Sequence, residues 1–101
     1  VARLFEQAGD GIGETAVAPL DVRLSDRDSV QPDVLFIRHE NMGILGNDGR
    51  ISGAPDIVVE IVSPTSARYD RVRKFALYER SGVPEYWLLD YRQRWFAIHE
   101  L

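Results

Sequence analysis

A chain of 101 residues, 45% hydrophobic and 28% charged, is one ordinary globular domain spanning 1–101, and no apolar run approaches the roughly 20 residues of a membrane helix. It has no cysteine and only two scattered histidines, His39 and His99. Disulfides, thiolate catalysis and Cys- or His-rich zinc sites are therefore excluded, and any metal must be held by oxygen, as Mg²⁺, Mn²⁺ or Ca²⁺ are. A net charge of -4 argues against a general nucleic-acid coat protein but not against a nuclease, whose acidic site itself lowers the charge.

The chain opens at Val1 without an initiator Met or a basic, apolar leader, and it ends on the apolar run Trp95-Phe96-Ala97-Ile98. It reads as part of a longer cytoplasmic polypeptide. Residues 1–8 read as the end of a helix broken by Gly9, Gly11 and Gly13. Residues 15–24 alternate as a strand through Ala16, Ala18, Leu20, Val22 and Leu24. After the polar turn at 25–29, residues 30–38 form a second strand, in which Pro32-Asp33 opens the run Val34-Leu35-Phe36-Ile37. Residues 39–54 are rich in Gly and Asn without periodicity, and predict a long loop.

The clearest strand is 56–63, where five β-branched aliphatics lie between Ile57 and Val62. A run apolar on both faces belongs inside a sheet. Arg68–Arg80 is the best helix, stopped by Ser81-Gly82 and Pro84. Glu85–Asp90 and Trp95–Glu100 then predict a hairpin around Tyr91-Arg92-Gln93-Arg94. The order of elements is that of an α/β or α+β layer sandwich.

Side chains alternate along a strand, so Asp56, Val58, Glu60 and Val62 share one face. Glu60 thus falls in a segment whose composition demands burial, and a buried carboxylate must be paired, protonated or bound to a cation. A strand-end position or a partner arginine would explain a lone Glu. Asp56 on the same face shifts the balance, because two neighbouring carboxylates repel unless a cation separates them. Asp33 opens its own apolar run after a proline, as Asp56 does, although Pro-Asp is common where turns enter strands. An adjacent strand bringing Asp33 beside Glu60 would complete a three-carboxylate cluster suited to a hard divalent cation.

On the helix, Asp70, Lys74, Leu77 and Tyr78 fall within about 100° of one another. Lys74 either pairs with Asp70, for a few tenths of a kcal/mol, or faces the acids and orients a water or stabilises a phosphorane-like transition state. Arg68, Arg71, Arg73 and Arg80 make a basic flank, which is most simply a solvated face. Ser63 lacks a His at triad spacing, and no phosphate-loop pattern occurs among Gly43, Gly46, Gly49 and Gly53.

The run from Gly53 to Ser66, GAPDIVVEIVSPTS, resembles the signature of the Uma-type restriction endonuclease family. So do the later Asp70, Lys74 and Tyr78, the run from Gly82 to Trp87 (GVPEYW), Asp90, and the upstream Gln31-Pro32-Asp33-Val34. The resemblance covers most of 30–101. It implies the PD-(D/E)XK nuclease superfamily and a restriction-endonuclease-like core: a central mixed sheet flanked by helices, truncated here at its N-terminus. The superfamily's lysine two residues after the acid is replaced by Val62, and the resemblance implies that Lys74 takes its place. Glu6 would be the remnant of a further acid on an N-terminal helix.

The expectation is a DNA endonuclease using Mg²⁺, or Mn²⁺. Asp33, Asp56 and Glu60 would be the metal ligands, together with the Ile61 carbonyl, and Asp56, Glu60 and Lys74 the catalytic set. Related nucleases pair to cut two strands, so a homodimer fits. The alternative is a catalytically silent domain of the same fold that binds nucleic acid or a protein partner.

Overall fold

The computed structural model describes residues 2–4, 12–63 and 68–101, with side chains over 12–63 and 71–101. In chain order the elements are β1 (Ala2–Leu4), β2 (Gly13–Val17), β3 (Val22–Arg23), β4 (Ser29–Val30), β5 (Val34–Arg38), a 3-10 helix (His39–Ile44), β6 (Ile51–Ser52), β7 (Ile57–Ile61), α1 (Arg68–Arg80), β8 (Glu85–Asp90) and β9 (Trp95–Glu100). Among these residues the strands form a mixed sheet in the order β1-β2-β5-β7-β8-β9 and a small sheet in the order β4-β3-β6. The fold class is the expected α/β arrangement with a central mixed sheet.

β7 is an interior strand, antiparallel to β5 and parallel to β8. A parallel pair needs a crossover, and α1 supplies it between β7 and β8. Burial alternates along β5, β7 and β8, so that Leu35, Ile37, Val58, Glu60, Tyr86, Leu88 and Asp90 are buried on one face. That face is covered twice. Over β5, Leu35 and Ile37 pack with Leu20, Val22 of β3 and Ile51 of β6. Over β7 and β8, Val58, Tyr86 and Leu88 pack with Tyr78 of α1 and Val83. Leu24 and Val30 touch both clusters, so the small sheet and the helix stand side by side with Glu60 on the strand beneath them.

Five expectations change. Residues 2–4 are a strand paired with β2, not a helix end; the rest of that stretch, Glu6 included, lies outside the described residues. The single strand expected over 15–24 divides into β2 and β3, with Pro19 in the break, and the one over 30–38 divides into β4 and β5 around buried Pro32. A proline has no N–H for a continuous ladder, which is why each run serves two sheets. The long loop contains a 3-10 helix and β6. Finally, the second face of β7 is only partly covered. Ile61, Leu89, Phe96 and Ile98 on that side are exposed, because α1, the one α-helix among the described residues, lies on the opposite face. No helix among the described residues is long and apolar enough to cross a membrane.

Candidate active site

Strand pairing decides which acids meet. Val34 stands opposite Val59, so one step further along the antiparallel pair Asp33 faces Glu60. The Ile61 N–H donates to Asp33 Oδ2 at 2.7 Å, which fastens that carboxylate to the end of β7. Glu60 is only 7% exposed. Its Oε2 accepts a hydrogen bond from the Tyr78 hydroxyl at 2.6 Å, and Lys74 Nζ donates to Oε1 at 3.4 Å.

The end of α1 holds Tyr78 in register. Gly82 has φ +87, its N–H donates to Glu79 O at 3.2 Å, and the Val83 N–H donates to Tyr78 O at 3.1 Å. This is a Schellman termination, and its accompanying apolar contact joins Val83 to Tyr78 in the core. The same helix face carries Arg71, Lys74, Phe75 and Tyr78 at helical spacing, all at least partly buried, while Val72 is exposed. Phe75 packs against Tyr86 and His99, with ring centroids 6.3 and 5.2 Å apart. Two cations therefore occupy an inward-facing stripe, which explains why no clean apolar pattern marks this helix.

Burial pushes the Glu60 carboxyl above its usual range, and the Asp33 charge adds to the shift. The hydrogen bond from Tyr78 and the charge and hydrogen bond of Lys74 oppose it without cancelling it. The Tyr78 phenol is pushed up as well, by burial and then by Glu60, so it stays a donor. Glu60 and Lys74 open into a cleft of about 590 Å³ that Arg27, Gln31, Arg73 and Leu77 also line. An Arg80–Asp28 ion pair at 3.5 Å ties α1 to the turn before β4.

Asp56 does not join the pair. Its Oδ2 accepts from the Arg38 N–H at 2.7 Å and its Oδ1 from Asn41 Nδ2 at 2.9 Å, fixing the start of the 3-10 helix. The reason is the strand rise. Four residues at about 3.3 Å each separate Asp56 from Glu60 by about 13 Å, although both lie on one face. The expected three-carboxylate cluster is not assembled, and no group of three or more His, Cys, Asp or Glu among the described residues is placed to hold a metal. The Asp70 pairing considered for Lys74 falls on a side chain outside those described. Tyr78 had no assigned role in the sequence reading. Its signal was its place one turn beyond Lys74 on the same face.

The sequence pattern of the Uma2 family, described as "Putative restriction endonuclease", matches residues 1–101. The chain belongs to the Uma2 family. A solved structure described as that of "a putative nuclease belonging to DUF820 from Anabaena variabilis ATCC 29413" is similar, with a TM-score of 0.66 and 19% identity. The likeness covers 91% of the Uma2 chain described here and 57% of its neighbour, and at that identity it shows the shared fold. No curated protein matches the chain.

Proposed function

We propose that this Uma2 domain is a metal-dependent DNA endonuclease of PD-(D/E)XK type, with Asp33, Glu60 and Lys74 as its working groups. The observation that carries the reading is the desolvated Glu60 carboxylate, faced by Asp33 and held by Lys74 at 3.4 Å. Structural ion pairs rarely place a second carboxylate opposite the first, because like charges raise the cost of ionising either. A hard divalent cation relieves that cost. One or two carboxylates are the usual protein share of a Mg²⁺ site, so Asp33 and Glu60 fit Mg²⁺ or Mn²⁺, with the Ile61 carbonyl as a further oxygen. When bound, such an ion would make water a better nucleophile and offset charge on the phosphate.

The side chains do the rest. Tyr78 donates to one Glu60 oxygen and sets the direction of the other. Lys74 sits with its amine at the cleft, positioned to hold an attacking water or to neutralise the negative charge that grows on phosphorus-bound oxygens. Hydrolysis adds water across one P–O bond and leaves a proton on the departing oxygen, so a fixed cation beside that oxygen lowers the barrier. Asp56 serves the scaffold in this reading. The whole protein's substrate is DNA and a homodimer suits double-strand cutting; both are part of the proposal.

The alternative, a catalytically silent domain binding nucleic acid or a protein partner, has one observation on its side. Both Glu60 oxygens are already engaged by Tyr78 and Lys74. Incubating full-length protein with supercoiled and linear DNA, with Mg²⁺, Mn²⁺ or chelator, separates the two. Metal-dependent nicking that disappears in Glu60→Gln supports the nuclease. No cleavage under any metal supports the silent domain.

A further inference from the structure

A second pocket lies beyond Glu60, where β7 and β8 end. It holds about 350 Å³, and among the described residues Val62, Ser63, Arg71, Asp90, Arg92, Gln93 and Trp95 line it. Among its described lining residues two arginines accompany one carboxylate, and that carboxylate is already employed: Asp90 Oδ1 accepts from the Arg92 and Gln93 N–H groups, each at 3.0 Å. The Nε of Arg71 is buried and has no hydrogen-bond partner among the described residues. Native structures satisfy nearly all buried donors, so an orphaned guanidinium N–H in a pocket wall points to an acceptor from outside. A guanidinium fork matches the oxygens of a phosphate better than any other common anion except a carboxylate.

Position selects the phosphate. Val62 follows Glu60 by two residues on the same face of the chain, about 7 Å along β7, and Arg71 precedes Lys74 by one helical turn on the same side of α1. Successive backbone phosphates of one strand are spaced by about this distance, so a strand crossing the Glu60 cleft places a neighbouring phosphate here.

We infer that the pocket formed by Arg71, Arg92, Gln93 and Trp95 binds a non-scissile backbone phosphate of the nucleic-acid strand that the Glu60 cleft would cut. The inference rests on the nuclease reading for the presence of that strand, yet it concerns binding and is tested without turnover. Arg71 and Arg92 are positioning residues here. Trp95 forms part of the wall and reports occupancy, while Trp87 is on the other face of the sheet, bonded to Glu85 at 2.9 Å.

The test uses full-length protein carrying Trp87→Phe, so that Trp95 reports the pocket, with chelator present to block cleavage. A short single-stranded DNA oligonucleotide is titrated while Trp95 emission is followed at several salt concentrations, and inorganic phosphate is titrated in parallel. The expected result is a change in Trp95 emission. Affinity should fall about tenfold or more in Arg71→Lys and Arg92→Ala, and the salt slope of log affinity should drop by about 1 in Arg92→Ala. Arg92 lies on an exposed turn, so its variant keeps the fold, and Arg71→Lys keeps the charge while removing the fork. Affinities of both variants within twofold of the parent would overturn the pocket, as would unchanged Trp95 emission. Binding of inorganic phosphate without the oligonucleotide would overturn its assignment to nucleic acid. Failure of metal-dependent cleavage with these binding results intact would instead sink the nuclease reading alone.

Discussion

The Tyr78 hydroxyl and the Glu60 carboxylate, residues eighteen positions apart, meet at 2.6 Å in the core beneath α1. Tyr78 is fully buried, and the bond lies inside the apolar cluster of Val58, Val83 and Tyr86. A hydrogen bond to a buried charged group typically contributes about 1.5–3 kcal/mol, since removing the donor leaves the acceptor desolvated and unpaired. Tyr78→Phe should therefore lower unfolding free energy by about that amount in urea titrations. It should also raise the pH at which Glu60 ionises, because it removes an interaction that favours the charged form.

Glu60→Gln should behave in the opposite way for stability. The amide oxygen still accepts from Tyr78 and no charge is buried, while Lys74, with its side chain 32% exposed, regains water. Thermal unfolding at neutral pH should show no loss relative to the parent, and DNA cleavage should fall to background. A Glu60→Gln protein that fails to fold would show that this carboxylate is part of the scaffold.

The pH dependence follows from the direction of the Glu60 shift. Its folded-state pKa lies above its unfolded value, so between the two the folded protein binds more protons. The contribution of Glu60 to stability is accordingly greatest below its unfolded pKa and is lost as pH rises through the folded one. Unfolding free energies measured across the weakly acidic range should decline with pH in the parent and should lack this component in Glu60→Gln. Cleavage should run the other way, rising as Glu60 ionises.

Lys74→Ala separates chemistry from architecture. Glu60 is buried, so losing one of its two donors should cost about 1–3 kcal/mol, which is short of the roughly 5–15 kcal/mol that holds a domain folded. Metal-dependent cleavage by the full-length protein should nevertheless be abolished. Equal cleavage by Lys74→Ala and parent would make the lysine a structural partner of Glu60 and remove it from the mechanism.

Asp56→Ala should affect folding more than metal affinity. It removes both acceptors from the Arg38 N–H and the Asn41 amide, at a cost of roughly 1–3 kcal/mol. Mg²⁺ titration by calorimetry should give unchanged affinity in Asp56→Ala and weakened affinity in Asp33→Asn. A large loss of affinity in the Asp56 variant would return that residue to the metal site.

The amino-acid sequence by itself determined the elements whose signals are local. The β-branched run at 57–62 is a strand, and the Gly82 stop ends α1. Turn residues at 91–94 close the hairpin, and alternation alone puts Glu60 on the face of Val58. Each depends on backbone preference and period over a few residues, which neighbours in space do not change. Only the tertiary structure decided which acids meet. Asp33 reaches Glu60 through the register of two strands, a pairing between residues twenty-seven apart that no local signal encodes. Asp56 shares the face of Glu60 but not its location, since alternation fixes direction while the 3.3 Å rise and the pull of the Arg38 N–H fix place. Likewise Pro19 and Pro32 interrupt the ladders, but whether the chain then continues in the same sheet or changes sheet depends on the core packed between them.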